Sequence, residues 1–187
     1  VDNRFGDAYS KPFFQLYLAA LEREDDWQKM QGKYQFNALF FYAYDESPYF
    51  REFLFRRARD PSWALVHADT FNLIFLRNTP ENQRVIKKFN ITRESAEERL
   101  GYLMGSERAD DQIAAADIFN LIGREDLANR TFIGVGTRWP HQSKTWSVLG
   151  EWELGRSDPR SPVLAMMFLE RAVAEGEKSA KVYSLLG

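Results

Sequence analysis

Residues 34–55 read YQFNALFFYAYDESPYFREFLF, and ten of these 22 positions are aromatic: Tyr34, Phe36, Phe40, Phe41, Tyr42, Tyr44, Tyr49, Phe50, Phe53 and Phe55. Placed on a helix over 26–44, Phe40, Phe41, Tyr42 and Tyr44 point around most of the circumference. One buried stripe cannot absorb them. Such a helix is either sandwiched between neighbouring hairpins, the reading adopted, or it offers an aromatic patch to a partner or to a second copy. The charge-free run from Tyr34 to Tyr44 is far too short to span a bilayer.

Outward from this stretch the chain is well punctuated. Of the seven prolines, the four in Ser47-Pro48, Asp60-Pro61, Thr79-Pro80 and Ser161-Pro162 follow a helix-capping residue ahead of an apolar periodic stretch. The side-chain oxygen accepts an orphan N–H of the first turn and proline tolerates the first helical position, so each pair predicts a helix start. Gly105, Gly123, Gly155 and Gly176 each close an apolar periodic stretch, where a left-handed residue commonly ends a helix. Apolar spacings of three and four predict helices over about residues 11–23, 26–44, 48–59, 61–76, 80–89, 92–104, 110–122, 125–135, 143–154, 162–175 and from 178 onward. Sustained alternation of period two is missing, and the one candidate strand, residues 131–135, has no partner. The expected fold is all-α: an array of antiparallel helical hairpins in a single domain, residues 1–187.

The 187 residues are 44% hydrophobic and 28% charged, a balance that excludes a disordered or collagen-like chain. Folding would leave roughly 9,000 Å² exposed out of about 32,000 Å², enough to hold a core without staples. Lys+Arg number 25 against 27 Asp+Glu, so no bulk field recruits nucleic acid or an anionic membrane. With no cysteine there is no disulfide framework, thiolate metal site or cysteine nucleophile. The opening Val1-Asp2 suits a mature product after signal removal or an excised piece, and the stop at Gly187 interrupts a helical pattern.

In the last third, Leu149-Gly150 recurs as Leu186-Gly187, with Trp152, Gly155, Asp158, Ala165, Phe168, Ala172, Gly176 and Ala180 between them. This ladder resembles the Sel1-like repeat, a branch of the tetratricopeptide-like solenoids. It matches best over 143–187, with an echo over 96–134 in Leu100-Gly101, Gly105, Ala115, Phe119, Gly123, Ala128 and Ile133-Gly134. Small residues at Ala165, Ala172 and Ala180 would let two helices approach, and Gly176 would turn the chain between them. Residues 91–187 are thus expected to be a Sel1-like region truncated at its C-terminus, and residues 1–90 aromatic-rich hairpins of no named repeat. The resemblance implies an adaptor or scaffold; bacterial members act at the envelope in assembly, signalling or host contact.

Motifs for chemistry are sparse. His67 and His141 each lack a second histidine at helical spacing, so the common helical zinc arrangement is missing. On a helix Asp69 would not face His67 two residues away. Asp25-Asp26 and Asp110-Asp111 read as helix-start charges, and Glu97-Glu98 with Arg93, Glu94 and Arg99 as a solvated, ion-paired face. No phosphate-binding glycine loop and no G-x-S-x-G elbow occurs. Arg56-Arg57-Ala58-Arg59 is the densest basic cluster and falls at a helix C-terminus, which favours cations.

These observations lead to a non-enzymatic protein–protein interaction scaffold with no catalytic residue, metal or cofactor. Its expected contact residues are Arg138, Trp139, Trp146, Trp152, Tyr42 and Tyr44, because arginine and tryptophan anchor interfaces beyond their abundance. The expected partner is another protein or a peptide segment, with self-association as an option, and neither nucleic acid nor a membrane span. A periplasmic or secreted location is expected, with a cytoplasmic one left open. Two alternatives stand beside this reading: a carbohydrate- or small-ligand-binding helical protein using the Tyr and Trp clusters, and a helical enzyme centred on His67.

Overall fold

The computed structural model describes residues 10–43, 48–155 and 159–187. The chain divides into two compact units, Val1–Ala96 and Glu97–Gly187. The first contains α1 (Lys11–Glu22), α2 (Glu24–Tyr34), β1 (Ala38–Tyr42), α3 (Pro48–Arg59), β2 (Trp63–Ala68), β3 (Asn72–Arg77), a 3-10 turn (Pro80–Asn82) and α4 (Gln83–Phe89); a short α5 (Ala96–Arg99) spans the boundary. The three strands form one antiparallel sheet in the order β1-β3-β2.

This sheet corrects the all-α expectation, and its physical causes are local. The helix over 26–44 stops at Tyr34, where Gln35 turns left-handed (φ 50°) and its N–H donates to the Gln31 carbonyl at 2.8 Å. The chain then enters β1, a strand whose alternation is hidden because both of its faces are apolar. Leu39 and Phe41 turn inward while Phe40 and Tyr42 turn outward. The aromatic excess that no helical stripe could absorb is thus divided between two sides of a sheet.

The stretch 61–76, expected as one helix, is the β2–β3 hairpin. Leu65 pairs with Phe75 and His67 with Ile74, so Val66 is a one-residue bulge. The bulge moves the inward positions from Trp63 and Leu65 to Ala68, which breaks period two and imitates a spacing of three. Asp60-Pro61 opens a turn rather than a helix, with Asp60 Oδ1 accepting the N–H of Ser62 at 2.9 Å. At the hairpin tip Asp69 Oδ1 accepts the N–H groups of Phe71 and Asn72, both at 2.7 Å, closing an Asx turn without glycine.

The inner face of the sheet meets the helices through aromatic side chains. Phe41 packs edge-on against Phe50, Phe53 and Phe75 at 5.3, 5.6 and 6.3 Å. Trp27 of α2 lies 5.0 Å from Phe53 and 5.9 Å from Trp63. Arg57, 1% exposed, is held among these rings. Its guanidinium sits 5.0 Å over Trp27 and 5.1 Å over Phe53, ion-paired to Glu24 and, at 2.9 Å, to Asp60. Arg56 donates to the carbonyls of Leu21 and Glu22 at the end of α1. These two arginines of the basic cluster are therefore packing and capping residues.

In the second unit all regular structure among the described residues is helical: α6 (Gly101–Met104), α7 (Ala109–Leu121), α8 (Glu125–Arg138), α9 (Ser143–Leu154), α10 (Ser161–Ala174) and α11 (Ala180–Leu186). The candidate strand 131–135 lies inside α8. α7 packs on α8, and α9 on α10. Gly123 (φ 78°) and Gly176 (φ 99°) end α7 and α10 as expected, each within paired closing bonds: Arg124 N–H to Phe119 and Gly123 N–H to Asn120, then Glu177 N–H to Ala172 and Gly176 N–H to Val173. Gly105 and Gly155 end their helices with right-handed φ near −80°. Ala165 and Ala172 are buried, whereas Ala180, grouped with them by sequence, is exposed. A chain with a three-stranded sheet is not a helical solenoid from end to end, so the Sel1- and tetratricopeptide-like array is not its architecture.

Candidate interaction surface on the sheet

The sequence forms β1 because β-branched and aromatic side chains suit a pleated surface, and this strand carries three aromatics in five residues. On its outward side Phe40 is 66% exposed and Tyr42 55%. Register places Phe40 opposite Ile74, Ala38 opposite Leu76 and Tyr42 opposite Asn72, and Ile74 lies opposite His67 of β2. Phe71 at the hairpin tip is also exposed. The outer face is thus an apolar strip rather than the polar surface that usually covers the open side of an antiparallel sheet.

The two edges of the sheet differ. In an antiparallel ladder alternate residues bond to the neighbour and the rest face away. Ala43 N–H donates to Phe71 and Arg77 N–H to Asn37, so the odd-numbered residues of β1 serve β3. The N–H and C=O of Ala38 and Phe40 therefore point away from β3, and among the described residues no strand pairs with that edge. On β2 the outward carbonyl of Leu65 accepts the N–H of Ile91 at 2.8 Å, and the bulge at Val66 twists that edge. One edge is covered and bulged. The other carries exposed aromatics.

His67 and Asp69, expected to face apart on a helix, meet because a strand end and a turn bring them together, Nε2 to Oδ2 at 2.9 Å. Burial raises the Asp69 pKa, but hydrogen bonds from His67, the Phe71 and Asn72 N–H groups and the Asn72 side chain outweigh it and hold the carboxyl below its ordinary value. Asp69 is committed to shaping the turn, and His67 is half-exposed beside the apolar strip. Among the described residues no group of three or more His, Asp or Glu side chains could hold a metal ion. No helix among them is long and apolar enough to cross a membrane.

The other sequence-predicted contact residues lie in the second unit, apart from Tyr44, which falls outside the described residues. Arg138 pairs with Glu107 and stands 4.8 Å over the half-buried Trp139 ring. Trp146 donates from Nε1 to the Pro140 carbonyl at 2.8 Å and stacks on Phe168 at 5.9 Å. Trp152 is 6% exposed and packs 5.2 Å from Phe132. Of the six residues, Tyr42 stands on the outer sheet face. Sequence reasoning did not name Phe40, Phe71 or Ile74 as contacts, and with both faces of β1 apolar no alternation in its sequence marks the first. Compared with protein-family models, curated proteins and solved structures, the chain matches none.

Proposed function

We propose that this chain is a protein–protein interaction module whose contact surface is the open β1 edge and the apolar strip beside it. An extended segment of another polypeptide would add to the sheet as a strand, its main chain bonding to β1 and its side chains lying against Phe40 and Ile74. The observation that carries this reading is Phe40 itself, with an exposed ring and backbone groups facing away from β3. Main-chain pairing supplies affinity in such complexes, and pockets for alternate side chains supply selectivity. A second apolar surface exists on α10, where Val163, Met166 and Met167 are exposed. It offers area without directed hydrogen bonds, so the sheet edge is the better-defined contact.

The test is capture from a lysate of the source organism with three baits: the native chain, Phe40→Pro, and Arg138→Ala combined with Trp139→Ala. The N–H of Phe40 lies outside the β1–β3 ladder, so proline at this edge position blocks strand addition while keeping every ladder bond. A saturable protein lost with Phe40→Pro and kept with the double variant is the expected result. A partner lost only with the double variant would move the contact to the second unit. No protein above background, together with a melting temperature raised by soluble oligosaccharides, would replace this reading with carbohydrate binding.

A further inference from the structure

We infer that the partner at the open edge is a second copy of this chain, its β1 pairing antiparallel with the first about a two-fold axis through Phe40. The inference rests on the reading of β1 as a protein contact and adds the identity of what it meets. Three observations support self-pairing. First, no residue from Tyr34 to Tyr44 carries a charge, so two copies approach without like charges meeting. Second, the register is self-complementary. A two-fold axis at Phe40 puts it opposite its own copy, and puts the small Ala38 opposite the large Tyr42. On the inner side Leu39 then faces Phe41, which the isolated chain leaves half-buried. Third, an apolar edge strand is normally guarded by lysine, proline or a bulge. β1 has none of these, whereas the opposite edge has both a bulge and the Ile91 contact.

In the pair, the N–H and C=O of Phe40 exchange two hydrogen bonds with those of the other copy's Phe40, and three strands become six in one sheet, an ordinary size. Such an edge contact is smaller than a standard interface of about 1,600 Å². Association in the micromolar range is therefore expected.

The absence of native cysteine makes the register directly readable. Residues opposed in a bonded antiparallel pair have Cα atoms about 5.5 Å apart, within disulfide reach. Under mild oxidation Phe40→Cys should cross-link to itself, and Ala38→Cys mixed with Tyr42→Cys should form the mixed dimer. Tyr42→Cys alone should not, because its copy lies about 14 Å away along the strands. Sedimentation equilibrium of the native chain should show a species of twice the 21.8 kDa monomer mass. Phe40→Pro should raise its dissociation constant by about tenfold or more. Phe40→Lys, which places two like charges on the axis, should act the same way if proline perturbs the strand, with far-UV circular dichroism reporting on the fold of both.

A native chain that stays monomeric at hundreds of micromolar overturns the second copy as partner. So does a dimer that both variants leave intact. In either case the broader reading is decided separately, by whether the capture experiment yields a different protein lost with Phe40→Pro.

Discussion

At the scale of single residues, two glycines in helices of the second unit make opposite demands. A Cβ on Gly150 of α9 would stand 2.6 and 2.7 Å from Leu169 side-chain carbons and 3.3 Å from the Ala165 carbonyl. The absent side chain is what lets α9 and α10 approach. A Cβ on Gly134 of α8 would meet nothing within 4 Å. Gly150→Ala is therefore expected to lose about 1–3 kcal/mol through overpacking. Gly134→Ala should gain about 0.5–1 kcal/mol, because alanine restricts the unfolded chain and favours helix. Urea denaturation of the two variants beside the native chain measures both. Equal effects of the same sign would mean that the closeness of α9 and α10 does not constrain position 150. This contact was only partly legible: the sequence grouped Ala165 and Ala172 with Ala180 across Gly176, whereas Ala165 lies against Gly150 and Ala180 is exposed.

At the scale of elements, helix ends give a second measurable case. Asp126, in the first turn of α8, accepts two hydrogen bonds from the Arg124 guanidinium, both at 2.8 Å. These bonds, aided by the Leu127 N–H and opposed by partial desolvation, lower its pKa from 3.8 to about 2. The folded chain holds this proton less tightly than the unfolded chain does. The contribution is therefore complete above about pH 4 and is lost as pH falls through the folded value. Between pH 5 and 2 the native melting temperature should fall further than that of Asp126→Asn, and parallel curves would show that the pair adds no pH-dependent stability.

The glycine turns at Gly123 and Gly176 were readable because their causes are short-range, whereas Asp60-Pro61 marked a turn and not the helix start expected of it. The sheet was not, and the reasons differ strand by strand. β1 hides its period because Phe40 and Tyr42 are as apolar as Leu39 and Phe41, a pattern that a half-solvated strand lacks. β2 hides it because Val66 adds one residue to the count. The turn at Asp69 carries neither glycine nor proline, so its Asx geometry gave no punctuation. For the same reasons Tyr42, named as a contact for its aromatic company, and Phe40, its more exposed neighbour, were both placed on a sandwiched helix.

At the scale of the molecule, the division after Ala96 separates two kinds of core. The first closes a sheet over aromatic side chains around Arg57. The second is built from helices, with Phe119, Leu127, Phe132, Trp152 and Leu169 buried. A chain segment of under 100 residues can hold a core of its own, though with little stability to spare. Residues 97–187 produced alone should therefore give a helical circular dichroism spectrum and a cooperative urea transition followed by the fluorescence of Trp139, Trp146 and Trp152. A broad transition would mean that this core needs the rest of the chain to complete it. The same fragment separates the two apolar surfaces. It lacks β1, so it should remain monomeric at concentrations where the whole chain pairs. Association of the fragment would instead assign self-contact to the face of α10 that exposes Val163, Met166 and Met167. The Phe40 variants of the whole chain would then keep a dimer that strand pairing does not explain.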